Sequence, residues 1–241
     1  MRPMVSFIVP AHNEEQLLRR TLDAIHDAAV ETGTAYELIV VDDASTDATA
    51  EIATAAGARV IAVDYRQIAR TRNAGARAAA GEILVFVDAD TIINARTLRA
   101  TLTAIDQGAI GGGAFLTFDD PMPLSARALA AMVRFGMRLG KLAAGAYLFC
   151  TATAFVQAGG FDETLFATEE LTLSRALRKV GPVVILRERV LTSGRKARTH
   201  GLRELWAPVV LVLRYGPSAF RDRAAMSLWY GRRRRDPRNM E

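Results

Sequence analysis

Asp88 and Asp90 stand one alanine apart, directly after the apolar run Ile83, Leu84, Val85, Phe86 and Val87. An unbroken apolar run of this length reads as a strand covered on both faces. The spacing therefore puts two carboxylates at a strand's carboxyl end. Hard oxygen ligands with room for others suit Mg²⁺ or Mn²⁺ bridging to phosphates. Such a cation would neutralise charge on a departing diphosphate. Asp-x-Asp alone is common in solvated turns, and its place after a buried strand is what favours chemistry. Two further polar clusters follow apolar runs. Pro10, Ala11, His12, Asn13 and Glu14 follow residues 5–9, and Asp42 and Asp43 follow residues 38–41. Ligands of open α/β sheets sit beyond the carboxyl ends of strands, which is where all three clusters fall.

The elements that must hold these clusters alternate. Strands are expected at 5–9, 38–41, 60–63 and 83–87, with helices over 14–32, from about Asp47, over 67–80 ended by Gly81, and over 95–106. Asp47 reads as a cap of the second helix. The pattern predicts an α/β, Rossmann-like, mostly parallel sheet flanked by helices. Farther on, a strand at 114–118, an amphipathic helix over 124–142, a turn at 159–163, a helix over 169–180 and short strands at 183–186 and 190–192 are expected.

Taken together the motifs resemble family-2 glycosyltransferases of the GT-A fold. The resemblance rests on Pro10-Ala11-His12-Asn13-Glu14, Val41-Asp42-Asp43-Ala44-Ser45-Thr46-Asp47, Arg72-Asn73-Ala74-Gly75 and Asp88-Ala89-Asp90. Gly159-Gly160-Phe161-Asp162-Glu163 and Thr168-Glu169-Glu170 complete it, and it spans about residues 4–200. It implies an inverting, metal-dependent transfer of a sugar from a nucleoside-diphosphate sugar to an acceptor hydroxyl, with a UDP-sugar favoured over a GDP-sugar.

The resemblance also implies roles. Pro10, Ala11, His12, Glu14, Asp43, Asn73, Asp88 and Ala89 would surround the donor. Asp43 would accept from the base ring N–H, and His12 would pack on the base. Glu14 would lie near the nucleoside, with helix-dipole compensation as its competing reading. One of Arg70 and Arg72 would pair with the diphosphate, as would the basic loop carrying Arg195, Lys196 and Arg198. Asp88 and Asp90 would hold the metal. His200 is a further candidate ligand, against a solvated residue of the basic loop. Glu170, with Glu169 beside it, would supply the general base, although the family usually has an aspartate at the second position. Both glutamates starting a helix capped by Thr168 is the competing reading.

The 241 residues suit one large domain, expected over 1–200, with a basic, apolar extension over 201–241. From Arg187 onward there are fourteen basic and five acidic residues, which points to phosphates or an anionic membrane surface. No nucleic-acid partner is expected. One cysteine, Cys150, sits in an apolar run as a core residue and forms no internal disulfide. This suits a cytoplasmic location, with peripheral contact at the membrane's cytoplasmic face and a lipid-linked acceptor. No signal peptide and no long apolar span are read. The absence of G-x-G-x-x-G after the first strand argues against a dinucleotide oxidoreductase. A nucleotidyltransferase and a non-catalytic nucleotide-sugar binder remain as alternatives.

Overall fold

The computed structural model describes residues 4–118, 145–195 and 220–221. Its strands are β1 Val5–Ala11, β2 Tyr36–Asp43, β3 Arg59–Val63, β4 Ile83–Val87, β5 Thr91–Ile92, β6 Gly111–Phe118, β7 Tyr147–Thr151 and β8 Val183–Thr192. Its helices are α1 Leu18–Thr32, α2 Thr49–Ala55, α3 Ile68–Ala78, α4 Ala95–Asp106, α5 Ala152–Gln157 and α6 Glu169–Val180.

One sheet runs β3-β2-β1-β4-β7-β6-β8-β5. The half built from the first four expected strands is wholly parallel. The second half alternates. β7 is antiparallel to β4 and β6, β8 is parallel to β6, and β5 is antiparallel to β8.

The apolar runs of β1 and β4 feed two faces. Phe7, Val9, Val85 and Val87 join Leu22 and Ile25 of α1 and Leu98 of α4. Ile8, Leu84 and Phe86 join Ala69 of α3, Phe155 of α5, Phe161, and Leu173 and Leu177 of α6. Both faces are covered, which is why these strands show no polar alternation. Each fully buried large side chain contributes roughly 1.5–3 kcal/mol.

The structure refines several boundaries. α1 starts at Leu18, because Glu14 to Leu17 form a turn in which the Glu14 carbonyl accepts from Leu17 and Leu18. α3 ends at Ala78, and Gly81 is not its cap. A Cβ on Gly81 would lie 2.5 Å from Ser6 Oγ and 2.8 Å from the Met4 carbonyl, so this glycine permits close approach to β1. The glycines at 111–113 belong to β6 itself. The two short strands expected near the end are one strand, β8. Its register against β6 shifts between Gly113↔Ile185 and Phe115↔Arg189, which gives β8 extra residues at an irregularity. The expected helix over 124–142 and most of the basic extension lie outside the described residues.

Candidate active site

The loops after β1 and β2 are zipped together. Asn13 N–H donates to Ser45 Oγ at 2.9 Å, and Asn13 Oδ1 accepts from Thr46 N–H at 2.8 Å. Glu14 N–H donates to Thr49 Oγ1 at 2.8 Å. Asn13 and Ala44 take left-handed φ values of 52° and 55°, which the two turns require. Asp47, one residue before the N-cap of α2, accepts from Thr49 N–H and Thr49 Oγ1 and stays a local support of this turn.

Asp43, at the end of β2, is buried, and its carboxylate accepts four bonds from the chain. Tyr65 and Arg66 N–H donate to Oδ1 at 2.7 and 2.8 Å. Gln67 N–H and Thr71 Oγ1 donate to Oδ2 at 3.1 and 2.9 Å. A carboxylate has about four lone-pair sites. Asp43 thereby holds the loop after β3. His12 borders the same loop. Its Nδ1 lies 2.8 Å from the Asp43 carbonyl, and its Nε2 lies 3.2 Å from Arg66 Nη1. Since the carbonyl only accepts and the guanidinium only donates, the network assigns the proton to Nδ1.

Arg72, on α3, is the centre of the site. It is only 2% exposed. Nη1 donates to Glu169 Oε1 at 2.7 Å and to Glu170 Oε1 at 3.0 Å, and Nη2 donates to Asp88 Oδ1 at 2.7 Å. Its guanidinium carbon lies 5.3 Å from the centre of the Phe161 ring. Gly75 lets α3 press onto the sheet, since a Cβ there would run into Ile8 and lie 3.0 Å from Val41. Burial works against the Arg72 charge, but Glu170, Asp88 and Glu169 more than offset it, so the group stays cationic. Arg72 thus gathers the carboxylates. Arg70 turns elsewhere, stacking on Tyr65 at 4.4 Å and lying 3.6 Å from Glu163. Asn73 is likewise structural. It accepts from Phe161 N–H at 3.0 Å and donates to the Phe161 carbonyl at 2.9 Å, which fixes the ring beneath Arg72.

The two glutamates open α6 in different surroundings. The Glu169 side chain is 3% exposed and the Glu170 side chain 16%. Thr168 before them does not cap the helix with its side chain. It takes φ 63°, a strained conformation for a β-branched residue, and its carbonyl accepts from Leu171 and Thr172.

Burial raises the Glu169 carboxyl well above its ordinary value, to about 8, with Glu170 adding to the rise and Arg72 opposing it. The folded protein therefore keeps a proton that the unfolded chain has released. Stability is fully present below the ordinary glutamate pKa and is lost as pH rises through about 8. Thermal midpoints recorded across that window should fall with rising pH, and Glu169→Gln should flatten the fall. An unchanged slope in the variant would place the lost proton elsewhere.

Asp88 and Asp90 leave β4 in a tight turn. Ala89 between them is buried, and its carbonyl accepts from Thr21 at 2.9 Å, so it supports the turn. The Asp88 side chain is 32% exposed. Asp90 Oδ1 lies 3.4 Å from Thr192 Oγ1 on β8. Pro10 and Ala11 are β1 residues paired with Val41 and Asp42. Glu14 and Arg195 pair with each other at 3.0 and 3.1 Å, so the end of β8 is tied to the loop after β1. Glu14 precedes α1, and ion pairing replaces the helix-dipole reading. Lys196, Arg198 and His200 lie outside the described residues. The carbonyl of Phe220 accepts from Phe166 N–H, in the loop before α6, at 2.7 Å.

Among the described residues no three His, Cys, Asp or Glu side chains form a metal cage. Two carboxylates still fit Mg²⁺ or Mn²⁺, which bind through one or two carboxylates plus phosphate oxygens. The charge balance agrees, since one guanidinium faces the partly exposed carboxylates of Asp88 and Glu170. A groove of about 600 Å³ lined by Arg96, Arg99, Arg187 and Leu186 lies along α4, and none of these carboxylates lines it.

The family model described as glycosyl transferase family 2 matches residues 6–157. The chain belongs to glycosyl transferase family 2. It is 37% identical over 95 residues to undecaprenyl-phosphate 4-deoxy-4-formamido-L-arabinose transferase of Pseudomonas aeruginosa, covering 36% of this chain and 28% of the relative. It is 34% identical over 133 residues to succinoglycan biosynthesis protein ExoO of Rhizobium meliloti, covering 53% and 36%. Both matches span well under half of the relative's length. Among solved structures, mannosyltransferase PcManGT from Pyrobaculum calidifontis in complex with GDP-Man and Mn²⁺ superposes with a TM-score of 0.67 at 22% identity, covering 86% of this chain and 60% of that one. Glucosyl-3-phosphoglycerate synthase of Mycobacterium tuberculosis, in complex with Mn²⁺, UDP and glucosyl-3-phosphoglycerate, gives 0.61 at 23% identity, covering 90% and 80%. These likenesses establish the GT-A fold of this family-2 chain. Its sequence motifs fall where the fold gathers them, except that Arg72 and Asn73 face inward. Gln67 and Thr71 are supports that no local sequence pattern marks as such, while Phe161 belongs to the Gly-Gly-Phe-Asp motif.

Proposed function

We propose that the protein transfers a sugar from a nucleoside-diphosphate sugar to an acceptor hydroxyl with inversion, using Mg²⁺ or Mn²⁺. The observation that carries this reading is the convergence of Asp88 and Glu170 on one guanidinium, at 2.7 and 3.0 Å. A carboxylate suited to the metal and diphosphate and a partly exposed proton acceptor are thereby neighbours. Asp88 and Asp90 would hold the metal, which when bound supplies charge neutralisation of the leaving diphosphate. Glu170 takes the proton from the acceptor hydroxyl as its oxygen bonds to the anomeric carbon and the bond to the diphosphate oxygen breaks. The Glu14–Arg195 pair shapes the donor mouth, with Pro10, Ala11, His12 and Ala89 as its backbone and wall.

Family membership supports transfer over nucleotide-sugar synthesis. The ligands of the Pyrobaculum and Mycobacterium proteins support a nucleotide-sugar donor, with UDP as the first choice and GDP as the alternative. The name of the Pseudomonas relative supports a lipid-linked acceptor and a peripheral position at the cytoplasmic face of the membrane. Among the described residues no helix is long and apolar enough to cross a membrane.

A thermal-shift panel tests the reading, because a ligand bound only by the native state raises its stability. UDP or GDP should raise the midpoint of wild type only with Mn²⁺, and Asp90→Ala should lose that dependence. Equal shifts with and without Mn²⁺, in both proteins, would sink it.

A further inference from the structure

We infer that Arg72 is a positioning residue that sets Glu170 and Asp88 in one constellation, with Glu169 as the buried hydrogen-bond acceptor that holds Arg72 itself. The inference rests on the reading of Asp88 and Glu170 just given. At 2% exposure Arg72 is not placed to meet a ligand directly. Its environment is built to fix its plane. The Phe161 ring lies on one side at 5.3 Å, and Asn73 clips that ring's backbone. Glu169, 3% exposed, meets Nη1 at 2.7 Å and has almost no access to solvent. Only then do the two nitrogens reach the carboxylates that are open to solvent, Glu170 at 16% and Asp88 at 32%.

A planar fork with fixed angles transmits geometry in a way that an ammonium on a flexible stem does not. Glu170 and Asp88 lie 82 residues apart in sequence, and Arg72 is the cation that touches both. The arrangement has an unusual consequence for binding. Arg72 occupies one oxygen of Asp88 and places positive charge beside the carboxylates that would hold a cation. Loss of the guanidinium should therefore leave Mn²⁺ affinity undiminished or improved while turnover falls. A side chain that merely stabilised the fold would lower both together.

The test uses the full chain as wild type, Arg72→Lys and the double variant Arg72→Met/Glu169→Gln. Mn²⁺ affinity is measured by calorimetry in the presence of UDP and, in parallel, GDP. Release of nucleoside diphosphate from UDP-glucose and GDP-mannose gives kcat and KM. Arg72→Lys should lower kcat about 10²-fold, the scale of a misplaced catalytic group. KM for the donor should change by less than about threefold, with Mn²⁺ binding no weaker than wild type. If Arg72→Lys does not fold, the double variant decides, because it removes the buried cation together with its most buried partner and leaves only the partly exposed Glu170 and Asp88 carboxylates. It should fold and remain slow. A folded variant with kcat within about threefold of wild type overturns the inference, and so does Mn²⁺ affinity that falls in step with kcat. Asp90→Ala separates this from the underlying reading. If Asp90→Ala keeps Mn²⁺-dependent nucleotide binding, the metal assignment fails; if it loses that binding while the Arg72 variants turn over normally, only the positioning role fails.

Discussion

Replacing Glu170 with glutamine should lower turnover by about 10²-fold or more, the usual contribution of a general base. The change keeps the shape of the side chain and removes its basic oxygen. Donor affinity should move little, because in the proposed reading the diphosphate end of the site belongs to the β4 turn and the loop after β1. Glu169→Gln should cost less turnover. Consecutive helical residues project about 100° apart, and here one glutamate is 3% exposed and the other 16%. Only Glu170 is open to a substrate proton. Glu170→Asp probes the one-methylene departure from the family pattern, since shortening the arm moves the oxygen away from Arg72 Nη1, now 3.0 Å distant. Release of nucleoside diphosphate from a UDP-sugar measures all three variants. Near-normal turnover in a folded Glu170→Gln protein removes the base assignment and, with it, the main support for inversion.

Asp43→Ala should be the most destabilising change in the loops. It leaves the N–H groups of Tyr65, Arg66 and Gln67 without their acceptor, while the Thr71 hydroxyl keeps the Gln67 carbonyl at 2.8 Å. Each buried donor left unpaired costs about 1–3 kcal/mol. Some will recover water as the loop opens, so a net loss of about 3 kcal/mol is expected. For a domain of this size that is roughly 6–12 °C in Tm. Calorimetry or a circular-dichroism melt checks it. A variant that melts like wild type while losing nucleotide affinity would instead make Asp43 a direct contact of the base.

The parallel half of the fold was open to sequence reading because each of its strands is an apolar run followed by a polar cluster. β1, β2, β3 and β4 and the helices between them lie within a few residues of the expected ranges. β5 is two residues long and carries no periodic signal, and β7 is visible only as an apolar run around Cys150. β8 reads as two pieces because its irregularity interrupts the pattern. The carboxylates were legible by type and spacing. The direction in which Arg72 points was not. On a helix rich in alanine and arginine it reads as a candidate partner of the diphosphate, and only partners brought back by the chain explain its burial. Asp43 is similar. Its donors are backbone N–H groups, which every sequence contains and none marks.

Those partners have a bearing on how the chain can be divided. Glu169 and Glu170 lie 97 and 98 residues beyond Arg72. During synthesis the strands β1 to β4 emerge well before α6 exists. A nascent chain at that stage could pair its strands, yet closing a core over Arg72 would bury a guanidinium before Glu169 and Glu170 exist to accept its hydrogen bonds. An uncompensated buried cation is costly enough to favour the open state. The first half should thus remain a loosely collapsed intermediate until α6 arrives. A split-protein pair cut after the fourth strand should consequently gain its structure on mixing, with neither piece folding alone.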